Sequence, residues 1–237
     1  MKINFYNKKI LITGGTRGIG KQIATDMLGA GGKVFITGTK KVEIKGCEFI
    51  ESNFLDPNSK REFLNKISLL DIDILINNAG INRIDSISDL NLKDLSDIIH
   101  VNLITPIEII QAVISNMKNK RYGRIVNISS VFGNVSKEKR ISYSSSKFGL
   151  KGATLAIASE VAKFNILVNC VSPGFTLTDL TKQILKDDGI KEIELSIPIG
   201  RLAEVQDISK VVLFIASDLN SYISGQDIIV DGGFVNV

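Results

Sequence analysis

The chain has 237 residues, 44% hydrophobic and 23% charged, a balance that suits a folded globular protein and excludes a disordered or fibrous one. Its net charge of +4 comes with no basic block longer than Lys118-Asn119-Lys120-Arg121, so charge does not point to nucleic acid. One histidine (His100) and two distant cysteines (Cys47 and Cys170) give no metal cluster, no disulfide framework and no ready Ser-His-Asp triad. The cysteines read as small buried hydrophobes in a reducing, cytoplasmic setting. No uninterrupted apolar run approaches the roughly 20 residues of a membrane span, and Met1 to Tyr6 carries no apolar core of a signal peptide, so neither is expected.

Lys9-Ile10-Leu11-Ile12-Thr13 reads as a buried parallel strand. Gly14-Gly15-Thr16-Arg17-Gly18-Ile19-Gly20 follows, then a helical pattern through Ile23, Ala24, Met27 and Leu28. Glycines let the backbone turn sharply and approach a ligand, and the helix N-terminus offers its free N–H groups to a pyrophosphate. The spacing is not G-x-G-x-x-G, but the physical device is the same. Lys33 to Thr37 is a second strand. In a dinucleotide fold its end meets the adenosine ribose, where an acidic residue suits NAD and a basic one the extra phosphate of NADP. Here stand Thr39, Lys40 and Lys41, with Arg17 in the glycine turn, so the expected cofactor is NADP(H).

Glu48 to Leu55 reads as a third strand with a polar tip, and Asp56-Pro57 opens a helix carrying Phe63, Leu64 and Ile67. Asp71 to Ile76 is a fourth strand closed by Asn77-Asn78-Ala79-Gly80, whose small and amide residues admit a ligand at the strand's carboxyl end. A helix is expected from Leu92 to Met117, with a possible break before Pro106. Asn102 lies in its apolar middle and must find partners if buried. His100 faces another side of that helix and has no assigned role. Gly123 to Ser130 is a fifth strand ending in two serines, and Ile166 to Val171 a sixth, followed by a turn rich in hydroxyls, Ser172 to Thr178. Asp179 to Arg201 is irregular with two candidate helical pieces, and residues 175–201 form the candidate substrate lid. Gln206 to Ser217 is the last helix, and Gly225 to Gly233 a seventh strand with a glycine turn. The alternation predicts one domain over residues 1–237: a doubly wound parallel α/β sheet, Rossmann-like, of about seven strands with helices on both faces.

Between the fifth and sixth strands lies Ile141-Ser142-Tyr143-Ser144-Ser145-Ser146-Lys147-Phe148-Gly149. Tyr143 and Lys147 stand one helical turn apart on one face. A fixed cation beside a phenol favours the phenolate and brings its titration down from about pH 10, as a general acid or base requires. A bare Y-x-x-x-K is common on ordinary helices, so the pair gains meaning only from its setting. Ser130, at the end of the fifth strand, can face it across a pocket. Hydrolysis by a serine nucleophile needs a G-x-S-x-G elbow and a histidine, so Ser130 reads instead as a hydrogen-bond donor.

Taken together, these motifs resemble the short-chain dehydrogenase/reductase family along essentially the whole chain. Thr13 to Gly20 is similar to its T-G-x-x-x-G-I-G turn, Asn77 to Gly80 to its N-N-A-G, and Pro173 to Thr178 to its P-G-x-x-x-T. The resemblance implies Asn102, Ser130, Tyr143 and Lys147 as catalytic residues. It implies cofactor contacts from Gly14, Thr16, Arg17, Gly18, Ile19 and Gly20, from Thr39 and Lys40, and from Asn53 and Phe54 beside the adenine. Asn78, Ala79, Gly80, Tyr143, Lys147, Pro173, Gly174, Thr176 and Thr178 complete that set. A hydride from NADPH would reach a ketone carbon while Tyr143 protonates the developing alkoxide. Lys147 would lower the Tyr143 pKa and hold the nicotinamide ribose, Ser130 would donate to the carbonyl oxygen, and Asn102 would position a water leading from Lys147 to solvent. Thr176 stands where the family usually has an apolar residue.

Within the family the chain looks most like 3-oxoacyl-[acyl-carrier-protein] reductases, through Ile197-Pro198-Ile199-Gly200-Arg201 and Asp231-Gly232-Gly233 as well. That likeness implies an acyl-thioester substrate, an acyl carrier protein as possible partner, and a homotetramer. Arg121 falls on a carrier-docking position, whereas Phe164, next to Lys163, stands where another basic residue is expected. A reductase of a polar keto-sugar or other biosynthetic intermediate is the alternative. A non-catalytic NADP(H)-binding sensor or structural subunit is the reading from another class.

Overall fold

The seven apolar, largely β-branched runs form one sheet. In this computed structural model, which describes residues 3–178, 181 and 189–237, the strands are β1 (Lys9–Ile12), β2 (Lys33–Gly38), β3 (Glu48–Glu51), β4 (Ile74–Asn77), β5 (Gly123–Ile128), β6 (Ile166–Pro173) and β7 (Asp227–Val230). Their order is β3-β2-β1-β4-β5-β6-β7, and every neighbouring pair is parallel. The chain winds outward from β1 to β3, then returns to place β4 on the other side of β1. That reversal opens a crevice at the carboxyl ends of β1 and β4, the place where such sheets take ligands.

Alternation along the strands divides the core into two layers. Leu11, Phe35, Leu75, Ile125 and Val168 face one side, where α2 (Pro57–Ser68), α4 (Thr105–Lys120) and α5 (Ile141–Val161) cover them with Phe63, Ile67, Ile109, Val113 and Ala158. Ile10, Ile12, Val34, Ile36, Ile74 and Ile76 face the other side, under α1 (Gly18–Gly29) and α6 (Val205–Ala216). Central strands covered on both faces explain the continuous apolar runs in the sequence.

The helix beginning with α3 (Leu92–Ile99) does not break before Pro106. It widens into a π turn over His100–Ile104 and continues directly as α4. Pro106 stands beyond the widened turn with one residue between, where the hydrogen-bond ladder is already displaced, so its missing N–H interrupts little. The run Leu92–Lys120 has the length and composition of a membrane span, but Ile98, Val101, Ile109, Ile110, Val113 and Met117 are buried in the protein, as in a core helix.

β3 and β4 are among the strands that are shorter than the sequence suggests. β3 stops at Glu51, and Phe54 turns into the core, 5.5 Å from the ring of Phe63. β4 starts at Ile74, because Asp71 takes a left-handed backbone with φ of 55°. Each of the seven strands is in fact approached through a left-handed residue one to three positions before it: Asn7, Gly31, Gly46, Asp71, Arg121, Asn165 and Gly225. Of the expected lid, residues 179–180 and 182–188 lie outside the described residues, and residues 189–195 are helical. Its far end is tied to the C-terminal turn, since Ile199 N–H donates to the Gly232 carbonyl at 3.2 Å. Gly232 and Gly233 carry φ of 66° and 94°, and a side chain on either would press into Ile199 or Pro198. The Ile197–Arg201 and Asp231–Gly233 stretches are therefore two sides of one contact.

Candidate active site

The crevice at β1 and β4 is held open by side chains that sew the two strand ends together. Thr13 Oγ1 accepts from the backbone N–H groups of Asn78 and Ala79, both at 3.0 Å. Asn78 Nδ2 returns donors to the carbonyls of Thr13 and Gly14 at 3.0 and 3.1 Å. Gly14, with φ of 64°, lies so close to Asn78 and Ala79 that a Cβ would touch both at about 3 Å. Gly18 (φ 53°) opens α1, and the methyl of Thr178 lies 3.5 Å from where its Cβ would be. The hydroxyl-rich turn after β6 thus reaches across to the glycine turn.

The remaining candidate cofactor residues gather along the same edge. Thr16 packs against Gly38 at the end of β2, with Thr39 and Lys40 just beyond. Arg17, Thr39 and Lys40 are exposed, and Ile19 is half-buried at the start of α1. Asn53 follows β3 and folds its Oδ1 onto Leu55 N–H at 3.1 Å. Phe54 is only 8% exposed with its ring in the core, so it offers an adenine no aromatic face, only main chain. Pro173 ends β6, and Gly174 sits against the backbone of Asp231. Thr176 is buried and turns its hydroxyl back to the Gly174 carbonyl at 3.1 Å. Thr178 exchanges a hydrogen bond with Thr181 at 2.9 Å.

The four candidate catalytic residues come together beside this edge. Asn102 sits in the π turn, only 1% exposed, and its amide is fully used. Its Oδ1 accepts from Ile81 N–H at 2.9 Å, and its Nδ2 donates to the Ile81 carbonyl at 2.9 Å and to Ser146 Oγ at 3.1 Å. Ser146 in turn donates to the Tyr143 carbonyl at 2.7 Å. Asn102 therefore clamps the Gly80–Ile81 turn against α5, and a Cβ on Gly80 would meet both Asn102 Oδ1 (3.3 Å) and Lys147 Nζ (3.8 Å). Lys147 Nζ donates to the Ile128 carbonyl at 2.8 Å and lies 5.6 Å from the centre of the Tyr143 ring. Ser130 caps a short turn through Phe132 N–H at 3.1 Å and faces the Tyr143 hydroxyl.

The electrostatics differ from the sequence expectation in one respect. Burial pushes the Tyr143 phenol above its ordinary value; the facing Ser130 hydroxyl and the Arg140 guanidinium act in the opposite direction. Lys147 is not what draws the phenol down. Its ammonium is itself desolvated, with a neutral carbonyl as acceptor, and burial lowers its pKa to about 8. The pair is a neutral phenol beside a cation that gives up its proton readily.

Several contributors were not visible in the sequence. In the sequence Thr13 stands as a strand end and the first residue of the glycine-turn motif, with no sign of its bonds to Asn78 and Ala79, and Ser146 as one of a run of small residues. Phe132 stacks edge-on to Tyr143 with centres 6.5 Å apart, and Arg140 reaches the same ring. A hydroxyl immediately before a glycine turn was the available signal for Thr13. Nothing local marks the other three, because their roles depend on how the loop after β5 folds back.

Comparison with known proteins agrees with the fold. Residues 8–189 match the short chain dehydrogenase family. The chain is 39% identical to the 3-oxoacyl-[acyl-carrier-protein] reductase FabG of Aquifex aeolicus, covering 98% of this chain and 99% of that one. It is 38% identical to the enzyme of the same name from Escherichia coli, over 99% of this chain and 100% of the other. Among solved structures it is similar to a protein from Beutenbergia cavernae assigned as an NAD(P)-dependent gluconate 5-dehydrogenase, with NADP bound at low occupancy. The TM-score is 0.92 and the identity 28%, over 99% of both chains. A protein assigned as a gluconate dehydrogenase from Agrobacterium tumefaciens has the same TM-score at 27% identity, over 99% of this chain and 98% of that one.

Proposed function

The chain belongs to the short-chain dehydrogenase family, and from that premise we propose that it reduces a ketone, first of all a 3-oxoacyl thioester, to a secondary alcohol with NADPH. Full-length similarity to 3-oxoacyl-[acyl-carrier-protein] reductases supports the substrate class. The observation that carries the chemistry is the meeting of Tyr143, Ser130 and Lys147 beside the glycine crevice.

The residues present fit NADPH. Gly14 and Gly18 hold the turn at positive φ, close against Asn78, Ala79 and Thr178, and bring the N-terminus of α1 to the crevice, where its free N–H groups suit a pyrophosphate. Thr39 and Lys40 lie exposed just beyond β2 and Arg17 lies exposed in the glycine turn before α1, suited to a phosphate on the ribose. Asn53, Asn78, Ala79, Gly80, Pro173, Gly174, Thr176 and Thr178 complete the cradle. When bound, the reduced nicotinamide supplies the hydride equivalent of the reduction.

The chain's own groups then have separate tasks. Ser130 Oγ donates to the substrate carbonyl and stabilises charge as it develops on that oxygen. Tyr143 Oη, held protonated by burial, gives its proton to the alkoxide as general acid. Lys147 Nζ holds a ribose hydroxyl and returns a proton toward Tyr143, for which a pKa of about 8 is well matched. Asn102 fixes the Gly80–Ile81 turn against α5 and so shapes the water path by which Lys147 is reprotonated. Residues 175–201 serve as the substrate lid of a single domain spanning the chain. The protein assembles in the cytoplasm as a homotetramer through α4, α5 and the C-terminal strand, where Phe148 and Leu155 stand exposed on α5. An acyl carrier protein delivers the substrate; Arg121, the candidate docking residue, stands before β5 at the amino end of the sheet, away from the crevice.

A second reading follows from the two gluconate-dehydrogenase-like structures: a polar keto-sugar as substrate. NADPH consumption is followed with acyl thioesters and keto-sugars, and NADPH binding is compared with NADH. The expected result is NADPH preference with thioester turnover, lost in Tyr143→Phe while cofactor binding survives. Thioester turnover no faster than a blank, with keto-sugars reduced, would replace the first reading by the second.

A further inference from the structure

The loop between β5 and α5 brings two cations to the wall of the proposed site. Arg140, the residue before α5, is half-buried, and its guanidinium carbon lies 5.2 Å from the centre of the Phe132 ring. Phe132 stands edge-on to Tyr143 on one side and to Phe175 on the other, with ring centres 6.5 and 6.1 Å away. Lys137 Nζ lies 6.0 Å from the centres of both Phe132 and Phe175. Phe175 continues to Phe234 in the C-terminal turn, so an aromatic wall runs from the phenol outward with cations above it.

Arg140 is set apart from the other arginines. Arg61, Arg83, Arg121, Arg124 and Arg201 each donate to a protein oxygen. Among the described residues, Arg140 and Lys137 have no carboxylate within ion-pair distance and no side-chain acceptor. Arg17 is the other arginine without an acceptor there, and the cofactor reading gives it a phosphate. A guanidinium that has given up part of its hydration without a protein acceptor has five directed donors to offer a ligand anion. Burial also weakens its hold on its proton, which marks the same desolvation.

We propose that Arg140, with Lys137 beside it, forms an anion subsite for the ketone substrate, binding a carboxylate or phosphate that the substrate itself carries along the Phe132–Phe175 wall. The inference rests on the reductase reading and narrows its substrate class. A carboxylate a few bonds from the ketone would belong to the polar-ketone alternative, and a phosphate to the pantetheine arm of the thioester reading.

The test uses the full-length protein with NADPH and two matched pairs of ketones. One pair is 3-oxobutanoate and its methyl ester; the other is the 3-oxobutanoyl thioester of pantetheine with and without its phosphate. For wild type, Arg140→Gln, Arg140→Lys and Lys137→Gln, the readout is kcat/KM for the anionic member divided by that for the neutral one. Arg140→Gln should lower this ratio at least about tenfold, mostly through KM, the size of one charge-assisted hydrogen bond. Arg140→Lys should retain most of it, and Lys137→Gln should lose about threefold, as an exposed charge does. The pair that responds identifies the source of the anion. A ratio unchanged by Arg140→Gln in both pairs overturns the subsite while leaving the reductase intact. Absence of turnover with every ketone overturns the reductase reading and the subsite together.

Discussion

Two buried lysines on the same side of the sheet show how differently one residue type can be used. Lys60 on α2 is 8% exposed, with its Nζ 2.6 Å from Glu108 and 2.6 Å from His100. Lys147 on α5 is 4% exposed, and its acceptor is a neutral carbonyl, that of Ile128. The first cation has its countercharge and ties α2 to the helix bearing the π turn. The second has none, and burial brings its pKa to about 8. A buried ammonium without a carboxylate costs the fold stability, yet it leaves donors and an exchangeable proton free.

Removing the unpaired cation breaks the contrast at its most sensitive point. Lys147→Met should lower kcat/KM for ketone reduction about a thousandfold, the scale of a lost acid–base group. NADPH consumption measures this, and a loss under about tenfold would show that the ammonium is not used. The same variant sharpens the contrast through stability. The folded pKa of about 8 lies below the ordinary 10.5, so between these values the unfolded chain binds more protons and stability rises with pH. Below pH 8 both states are protonated and the native state bears the whole burial cost. Lys147→Met should therefore be more stable than wild type at pH 7, by on the order of 3 kcal/mol, with the gap closing as pH approaches that of free lysine. Urea titrations at pH 7 and pH 10 test the sign; a variant less stable than wild type at pH 7 would refute it.

Lys60→Met should act in the opposite sense and least. It strands Glu108, whose side chain is 31% exposed and can recover water, so the cost is about 2 kcal/mol, below that of a fully buried pair. Turnover at 25 °C should stay within about twofold of wild type, since the packing rather than the chemistry is touched. A large loss of turnover with unchanged stability would place Lys60 in the reaction as well.

Much of this was legible before any coordinates, for reasons of range. The glycine turn, the N-N-A-G tip and the Tyr143–Lys147 spacing are local patterns, and each central strand announces itself by an apolar run covered on both faces. Misreadings came where a distant partner decided. Phe54 looked like strand but turns inward because Phe63, on the next helix, offers a ring. Pro106 looked like a break, yet the π turn before it absorbs the irregularity. His100 had no visible role because Lys60 is forty residues away along the chain. The Tyr143 phenol was expected to be governed by Lys147 from spacing alone, whereas burial, Ser130 and Arg140 govern it. Arg140 could not be singled out at all, because its lack of an acceptor is a property of three-dimensional surroundings.

The left-handed residues ahead of the strands have a consequence for how such a chain can be altered. They lie on the amino edge of the sheet, opposite the crevice, and Asn7, Asp71, Arg121 and Asn165 adopt that backbone without being glycine. Among the described residues, four of the five non-glycine residues with left-handed backbone thus stand on the rim away from the chemistry; the fifth, Lys139, lies in the loop before α5. Laboratory evolution for heat resistance has room to work on the amino rim, by relaxing a turn, while selection for new substrates must act on the carboxyl rim. The two campaigns draw on different residues and can be run separately, then combined.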